Sequence, residues 1–255
     1  MTRRRSPARL VTTLAGMALA AVLALCGYAV VSGGGAGGAD GAGALDPEAT
    51  PSAGATSEDL PPAAGARDAG VPTAAEARAL LTALPVKGSA PKTGYDRVAR
   101  FGEAWLDVDG NGCGTRDDIL ARDLADVVRR GSCTVLSGTL DDPYTGTRIA
   151  FERGADTSAR VQIDHVVALM DAWRTGAQTL TQEDRVRLAN DPLNLIAVDG
   201  PTNQQKGAGD AATWLPPAKA YRCTYAARQV AVKSAYGLWV VPAERAALDR
   251  ILAAC

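Results

Sequence analysis

Hydrophobic and polar positions between residues 73 and 255 repeat in two periods, and the switches between them mark out the elements. Over 73–84, TAAEARALLTAL, apolar residues recur at helical spacing. Thr73 can cap the first turn, and Glu76 stands three residues on, as a capping box requires. Over 115–128, TRDDILARDLADVV, a helix would gather Ile119, Leu120, Leu124, Val127 and Val128 on one side. The period then shortens. CTVLSGTL (133–140) and TRIAFER (147–153) read as strands around the turn DDPYTG, a β-hairpin in which Tyr144 is a turn residue. RVQIDH (160–165) is a further strand. Helical stretches follow at 166–174 and 181–190, the second opening on Thr181 with an acidic first turn. Asp191-Pro192 breaks the chain. LNLIAV (193–198) is a short strand leading into the turn DGPTN. Two helices close the sequence, at 217–236 from Pro217 and at 243–254 with Pro242 near its first turn. No repeat occurs within this part, and the mixture of elements is α+β.

The pattern before residue 73 is of another kind. MTRRRSPARL is basic, and Leu10 to Val31 is apolar with no charge. Residues 1–31 are therefore a secretory signal peptide or a signal anchor. The run is long for the first and long enough to span a bilayer as the second. The small residues GAGA (41–44) offer a cleavage site. Cys26 in LALC suggests a lipid-attachment cysteine, but Leu25 stands where a small residue is needed. Residues 32–72 are Gly, Ala, Pro and Ser with few large apolar side chains. They bury too little to offset ordering entropy, so they form a flexible linker. Residues 73–255 then make one domain, exported and either secreted or anchored outside the cytoplasm. A membrane would be met only through an uncleaved N-terminal segment, and the domain is expected to be a monomer.

Four cysteines fall in this domain: Cys113, Cys133, Cys223 and Cys255. An even count in an exported chain implies two disulfides. Of the three pairings, Cys113–Cys133 with Cys223–Cys255 closes the most local loops. A four-cysteine metal site lacks the CxxC spacing it needs. Residues 72–255 balance 22 Lys+Arg against 22 Asp+Glu, which excludes a strongly basic nucleic-acid binder. The charge is uneven all the same. Residues 107–126 hold six Asp with Arg116 and Arg122, while 211–255 hold six basic residues with Glu244 and Asp249. A basic C-terminal face could follow a phosphate backbone, or be an ordinary solvated helix surface.

His165, in QIDHVVAL, is the only histidine of the chain. Alone it could be a core or surface residue. Three polar features line up with it, however. Asp164 and His165 close a strand, Asn194 opens the next, and NQQK places Asn203 nine residues later and Lys206 three beyond. Singly, Asp164 could end a strand, Asn194 and Asn203 could be turn residues, and Lys206 could be a helix C-terminal cation. Together at these spacings around one imidazole they point to a site.

The order D-H, N, N-x-x-K resembles an HNH endonuclease, whose active site is the ββα-metal motif. The wider block VQIDHVVALMDAWRTGAQ…ANDPLNLIAVDGPTNQQKGAGDAATWLPP is similar to a bacterial family of exported HNH proteins related to the C-terminal domain of the GmrSD restriction enzyme. The similarity runs from near Leu84 to Cys255. It implies an α+β fold with an HNH ββα-metal core, additional helices and the hairpin. It also implies a metal-dependent endonuclease whose partner is nucleic acid, by default DNA, cut with little sequence preference. His165 would be the general base. Asp164 would be a hard oxygen ligand and Asn203 an amide oxygen ligand. Asn194 would hydrogen-bond the backbone near the histidine, and Lys206 would meet a phosphate as a point charge. Adjacent strand residues face opposite sides, so Asp164 and His165 share a site only if the strand bends at its end. Asn203 stands where many HNH proteins carry a metal-binding histidine. That favours Mg²⁺, with Mn²⁺ as the other oxygen-preferring candidate, over Zn²⁺.

Weaker signals remain. DVDGNGCGTRDD (107–118) resembles a Ca²⁺ loop, with Asp107, Asp109, Asn111, Gly112 and Asp118 at positions 1, 3, 5, 6 and 12. Gly114 replaces the usual apolar residue, Asp the usual Glu, and Arg116 crowds the ligands. The alternative is a tight turn set by Cys113 ahead of a helix. Arg116 is a second candidate for a phosphate, or for a salt bridge to a neighbouring Asp. Trp105, Trp173, Trp214 and Trp239 read as core anchors. Two rivals lack the chemistry: a silent binding module that keeps the HNH fold, and a calcium-stabilised extracellular protein in which 107–118 matters and 164–206 does not.

Overall fold

A computed structural model describes residues 66–255. The 1–31 signal or anchor segment, Cys26 and linker residues 32–65 lie outside the described residues. Among the described residues no helix is long and apolar enough to cross a membrane. Residues 66–72 belong by composition to the spacer, yet Arg67 is 4% exposed. It donates to the carbonyls of Asp141 and Asp123.

Helix α1 (Ala74–Ala83) forms behind its capping box. Thr73 accepts from the Glu76 amide, and the Glu76 carboxylate accepts from the Thr73 amide at 2.8 Å. Leu81 then packs with Val230 of α7 (Arg222–Ala235) and Leu248 of α8 (Pro242–Ala253) to make one part of the core. Helix α7 begins at Arg222 rather than Pro217, because a 3₁₀ turn at Lys219–Tyr221 precedes it. Short helix α2 (Arg97–Phe101) is capped by Asp96.

Helix α3 (Thr115–Asp123) is shorter than the 115–128 helix its pattern predicts. At Leu124 the backbone turns extended and strand β1 (Leu124–Arg130) begins. Asp126 takes φ 52° within a register irregularity, and the next residues pair with β2 (Thr134–Asp141). Val127 and Val128 are β-branched and suit the strand. Val128 ends up exposed instead of on an apolar helix face. Strand β3 (Arg148–Glu152) completes an antiparallel sheet of order β1-β2-β3, so the predicted hairpin gains a third strand.

A second sheet has two strands. β4 (Val161–His165) pairs antiparallel with β5 (Leu195–Asp199), in a register that sets His165 opposite Leu195 and Asp164 opposite Ile196. Two helices, α4 (Leu169–Arg174) and α5 (Gln182–Asn190), are inserted between them. Helix α6 (Gly200–Lys206) follows β5 directly, capped by Asp199 and with Pro201 in its first turn. Strand, strand, helix is the order the HNH resemblance implies. Val161, Ile163, Leu195 and Ala197 of this unit share a core cluster with Leu120, Leu140 and Phe151, which joins the two sheets. Cys113–Cys133 and Cys223–Cys255 are both bonded, the pairing favoured on loop length.

Gly200 is the tightest point of the ββα unit. A Cβ added there would lie 2.0 Å from the Ala159 carbonyl oxygen. Gly200→Ala must therefore push α6 away from the 3₁₀ turn Ser158–Arg160 that leads into β4. It should lower stability by about 1–3 kcal/mol. Urea unfolding of variant and parent checks this, and equal midpoints would show that the contact relaxes freely.

Candidate active site

Two local events place His165. Strand β4 ends there, and the chain bends at Val166–Val167 before α4. Alternation along the strand sends the two neighbouring side chains apart. Asp164 turns towards Tyr144 and Lys206, while His165 turns towards Ala189 and Trp105. Both still reach the surface of one cleft of about 380 Å³, which Tyr95, Arg97 and Asn203 also line. A smaller hollow of about 40 Å³ lies beside it, lined by Arg97, Trp105, His165 and Ala189 among others. The expected bend at the strand end is present, and it brings these groups to a common wall.

The His165 ring is oriented by one bond. Nε2 lies 2.8 Å from the Ala189 carbonyl, which can only accept, so Nε2 carries the proton and Nδ1 the lone pair. Nδ1 has no protein partner among the described residues. Trp105 lies nearly parallel to the imidazole, at 20° and 6.4 Å between ring centroids. Its backbone sits in the left-handed region at φ 64°. His165 is 7% exposed. Burial pushes its pKa down to about 3; the Ala189 carbonyl resists this, and the charges of Arg97 and Lys206 add to it.

Asn194 holds the turn behind the histidine. Its Oδ1 accepts from the Val167 amide at 2.8 Å, and its Nδ2 donates to the carbonyls of Val167 and Leu188. Its own carbonyl accepts from the Val166 amide. Fully buried, it ties α5, the bend after β4 and the start of β5 together. The bracing continues outward. Asp123 accepts from the Ala197 amide at 2.7 Å and pairs with Arg122, which donates to the Leu195 and Pro192 carbonyls.

Lys206 does not reach outwards. It is 3% exposed, and its ammonium donates to Asp164 Oδ1 at 3.0 Å and to the His165 carbonyl at 2.8 Å. The Tyr144 hydroxyl donates to Asp164 Oδ2 at 2.5 Å. Burial raises the Asp164 carboxyl above its ordinary value, against the pull of Lys206 and Tyr144. Tyr144 is itself pushed well up by burial and by the Asp164 charge, so it stays a donor. Asn203 donates from Nδ2 to Gln162 Oε1 at 2.9 Å, which leaves Oδ1 without a protein donor.

The structure thus brings all five sequence-derived residues, Asp164, His165, Asn194, Asn203 and Lys206, into one neighbourhood, with Lys206 facing a carboxylate rather than the cleft. Arg116 lines neither hollow, and its neighbour Asp117 pairs with Arg153. In the 107–118 loop, Asp107 accepts from the Gly110 and Gly112 amides, and Asn111 bonds Asp109 and Asp118. Among the described residues no group of three or more His, Cys, Asp or Glu is disposed to hold a metal ion. Sequence reading missed Tyr144, Arg97 and the Ala189 carbonyl. A buried tyrosine in a DPYTG turn leaves no periodic signal, and a backbone acceptor leaves none at all. Of the four tryptophans Trp173 is buried, while Trp105, Trp214 and Trp239 are half-exposed.

Residues 114–251 match the family model described as GmrSD restriction endonucleases, C-terminal domain. This chain belongs to that family. A GmrSD C-terminal domain is thus embedded in a chain with its own N-terminal extension. A relative from Arthroderma benhamiae, described as an uncharacterized secreted protein, is 39% identical over 180 residues. The match covers 70% of this chain and 84% of the relative. The relative is fungal, so the similarity reaches beyond the bacterial family that the residues suggest. No solved structure matches the chain.

Two outcomes follow for this GmrSD C-terminal domain. Lys206→Met would leave a buried carboxylate unpaired and should cost about 3–5 kcal/mol, and adding Asp164→Leu should recover much of it. A double-mutant cycle in urea measures this. The second concerns pH. The folded His165 pKa lies near 3, below the unfolded value of about 6.5, so between them the unfolded chain binds a proton that the folded chain does not. Stability should fall as pH drops through that window, by up to about 1.4 kcal/mol per unit. His165→Asn should show a shallower loss between pH 7 and pH 4.5 in denaturant titrations.

Proposed function

We propose that this chain is an exported, metal-dependent HNH endonuclease that hydrolyses phosphodiester bonds of nucleic acid, DNA by default, with little sequence preference. The observation that carries this is the His165 imidazole. Its Nε2 is committed to a carbonyl, which leaves the Nδ1 lone pair without a protein partner among the described residues, and the residue lines a cleft shared with Asp164 and Asn203. Membership of a restriction-endonuclease domain family, two disulfides and a relative named as secreted support the activity and the export.

In this reading His165 Nδ1 takes the proton of a water as that water attacks phosphorus in line with the departing oxygen. The Ala189 carbonyl keeps the ring turned for this and steadies the imidazolium that forms. Docking an anionic phosphate against the ring raises its proton affinity from the low resting value, which suits a group that must accept a proton. Asn194 is a positioning residue, acting through the Val166–Val167 bend. Lys206 and Tyr144 position Asp164 and hold its charge.

The donor set fits an oxygen-preferring divalent cation. Asp164 and the Asn203 Oδ1 line one cleft, and Asp164, which accepts from Lys206 and Tyr144, keeps carboxylate lone pairs beyond those bonds. Asp164 and Asn203 would hold Mg²⁺, or Mn²⁺ in its place. The bound cation would supply charge relief at the phosphoryl and leaving oxygens. The resting charge balance of residues 72–255 accords with modest affinity for nucleic acid.

The test is incubation of the full chain, made in a disulfide-forming compartment, with supercoiled plasmid or RNA and Mg²⁺ or Mn²⁺. Nicking should vanish with EDTA and fall about 10²–10⁴-fold in His165→Ala. Folded, disulfide-bonded protein that cuts neither polymer with either metal would sink this proposal and favour the binding module.

A further inference from the structure

We propose that Arg97 is the residue that grips the substrate phosphate beside His165, a role that neither Lys206 nor Arg116 has the geometry to fill. This rests on the nuclease reading above and names the cationic contact of the same site. The first observation is placement. Arg97 lines both the larger cleft and the small hollow that flank His165, and it is the one Arg or Lys among the residues lining either.

The second observation is availability. Arg97 makes no ion pair and no side-chain hydrogen bond among the described residues. Its neighbour Asp96 points back to cap α2 through the Ala99 amide. Asp164, the carboxylate lining the larger cleft, already pairs with Lys206 and Tyr144, and Glu103, which lines the small hollow, makes no ion pair with Arg97 among the described residues. A guanidinium offers five donors in a planar fork, and leaving them to water beside a general base is the arrangement of an anion contact. The other candidates are occupied or elsewhere. Lys206 is buried on Asp164 and the His165 carbonyl, and Arg116 lines neither hollow.

The third observation is the mounting. Arg97 opens α2, and Phe101, one turn on, lines the same small hollow. Phe101 is buried against Tyr95 and Trp173, at 6.1 and 6.3 Å between ring centroids. The short helix is therefore pinned at its far end, and the guanidinium is carried on a fixed support. A phosphodiester held by two N–H groups of Arg97 would be set against the free Nδ1 of His165. This is positioning of substrate relative to base, a term that a misplacement of about 1 Å can erode 10²-fold.

The experiment uses the full chain and two independent readouts. Cleavage of supercoiled plasmid with Mg²⁺ should fall roughly 10²-fold in Arg97→Ala and be partly restored in Arg97→Lys. Binding of a short fluorescein-labelled DNA duplex, measured in the His165→Ala background across a salt series, should lose about 0.9 from the log–log salt slope when Arg97→Ala is added, as for one lost phosphate contact. A structural role would not move that slope. Arg97 is exposed, so the variant folds, and intact disulfides with an unchanged urea midpoint verify it. If the parent cuts nothing but the slope still drops, the nuclease reading fails while the phosphate contact stands. An unchanged slope, or no duplex binding by the parent, overturns the assignment of Arg97. So does plasmid cleavage by Arg97→Ala at the parent rate.

Discussion

One buried ion pair closes the ββα unit. Lys206, the last residue of α6, meets Asp164, next to last in β4, at 3.0 Å with both side chains almost wholly out of water. Desolvating two charges costs several kcal/mol for each, and further hydrogen bonds to both partners offset that cost. The His165 carbonyl takes a further ammonium hydrogen, and the Tyr144 hydroxyl takes the second carboxylate oxygen. The arrangement works in one geometry. α6 must start where Gly200 passes the Ala159 carbonyl, β4 must end at His165, and the β2–β3 turn must deliver Tyr144 beneath both. A weakly specified two-stranded sheet thereby acquires a fixed register and a fixed helix.

The same pair divides the labour of adjacent residues. Alternation along β4 turns Asp164 into a polar, buried network and leaves His165 facing the opposite side, against Trp105 and the Ala189 carbonyl. Neither residue is placed by its own strand alone. Asn194 ties the bend to β5 and α5, and Arg122 with Asp123 braces β5 through its backbone. Side chains that share the cleft are thus supported from four directions. On the proposed function, that supports the precision a base-and-phosphate geometry needs.

How much of this the sequence carries depends on the kind of signal. Capping residues are local chemistry, so α1 and α5 begin where Thr73 and Thr181 place them. Loop length favours the two disulfides that form. The D-H, N, N-x-x-K order survives into space because short elements of definite length convert spacing directly into proximity. Where tertiary pairing overrides a local period, the sequence misleads. Val127 and Val128 match a helical stripe, but pairing with β2 draws them into a strand. Composition likewise assigns Arg67 to a spacer, since nothing local announces that Asp123 and Asp141 carbonyls await it. Roles that depend on direction are the least legible. The motif position of Lys206 points to a phosphate, whereas its side chain is turned to a carboxylate that only the folded chain puts within reach. Tyr144 and Arg97 carry no motif at all, and their importance lies in what happens to surround them.

On the proposed function, a chain of formal net charge −1 meets an anionic polymer with little net attraction. Around the cleft, Lys206 cancels Asp164 internally, and the histidine is kept neutral by burial. Arg97 then stands as the Arg or Lys that lines this cleft without an ion pair among the described residues. A single exposed cation attracts weakly at long range, where salt screens it within about 8 Å at physiological strength. Close to the low-dielectric cleft wall its effect is larger. Under that proposal the arrangement favours contact over steering: it would hold a phosphate that has already arrived and do little to gather polymer from a distance. On the proposed function that is the behaviour of an enzyme that samples whatever nucleic acid it meets outside the cell, instead of one that searches for a site.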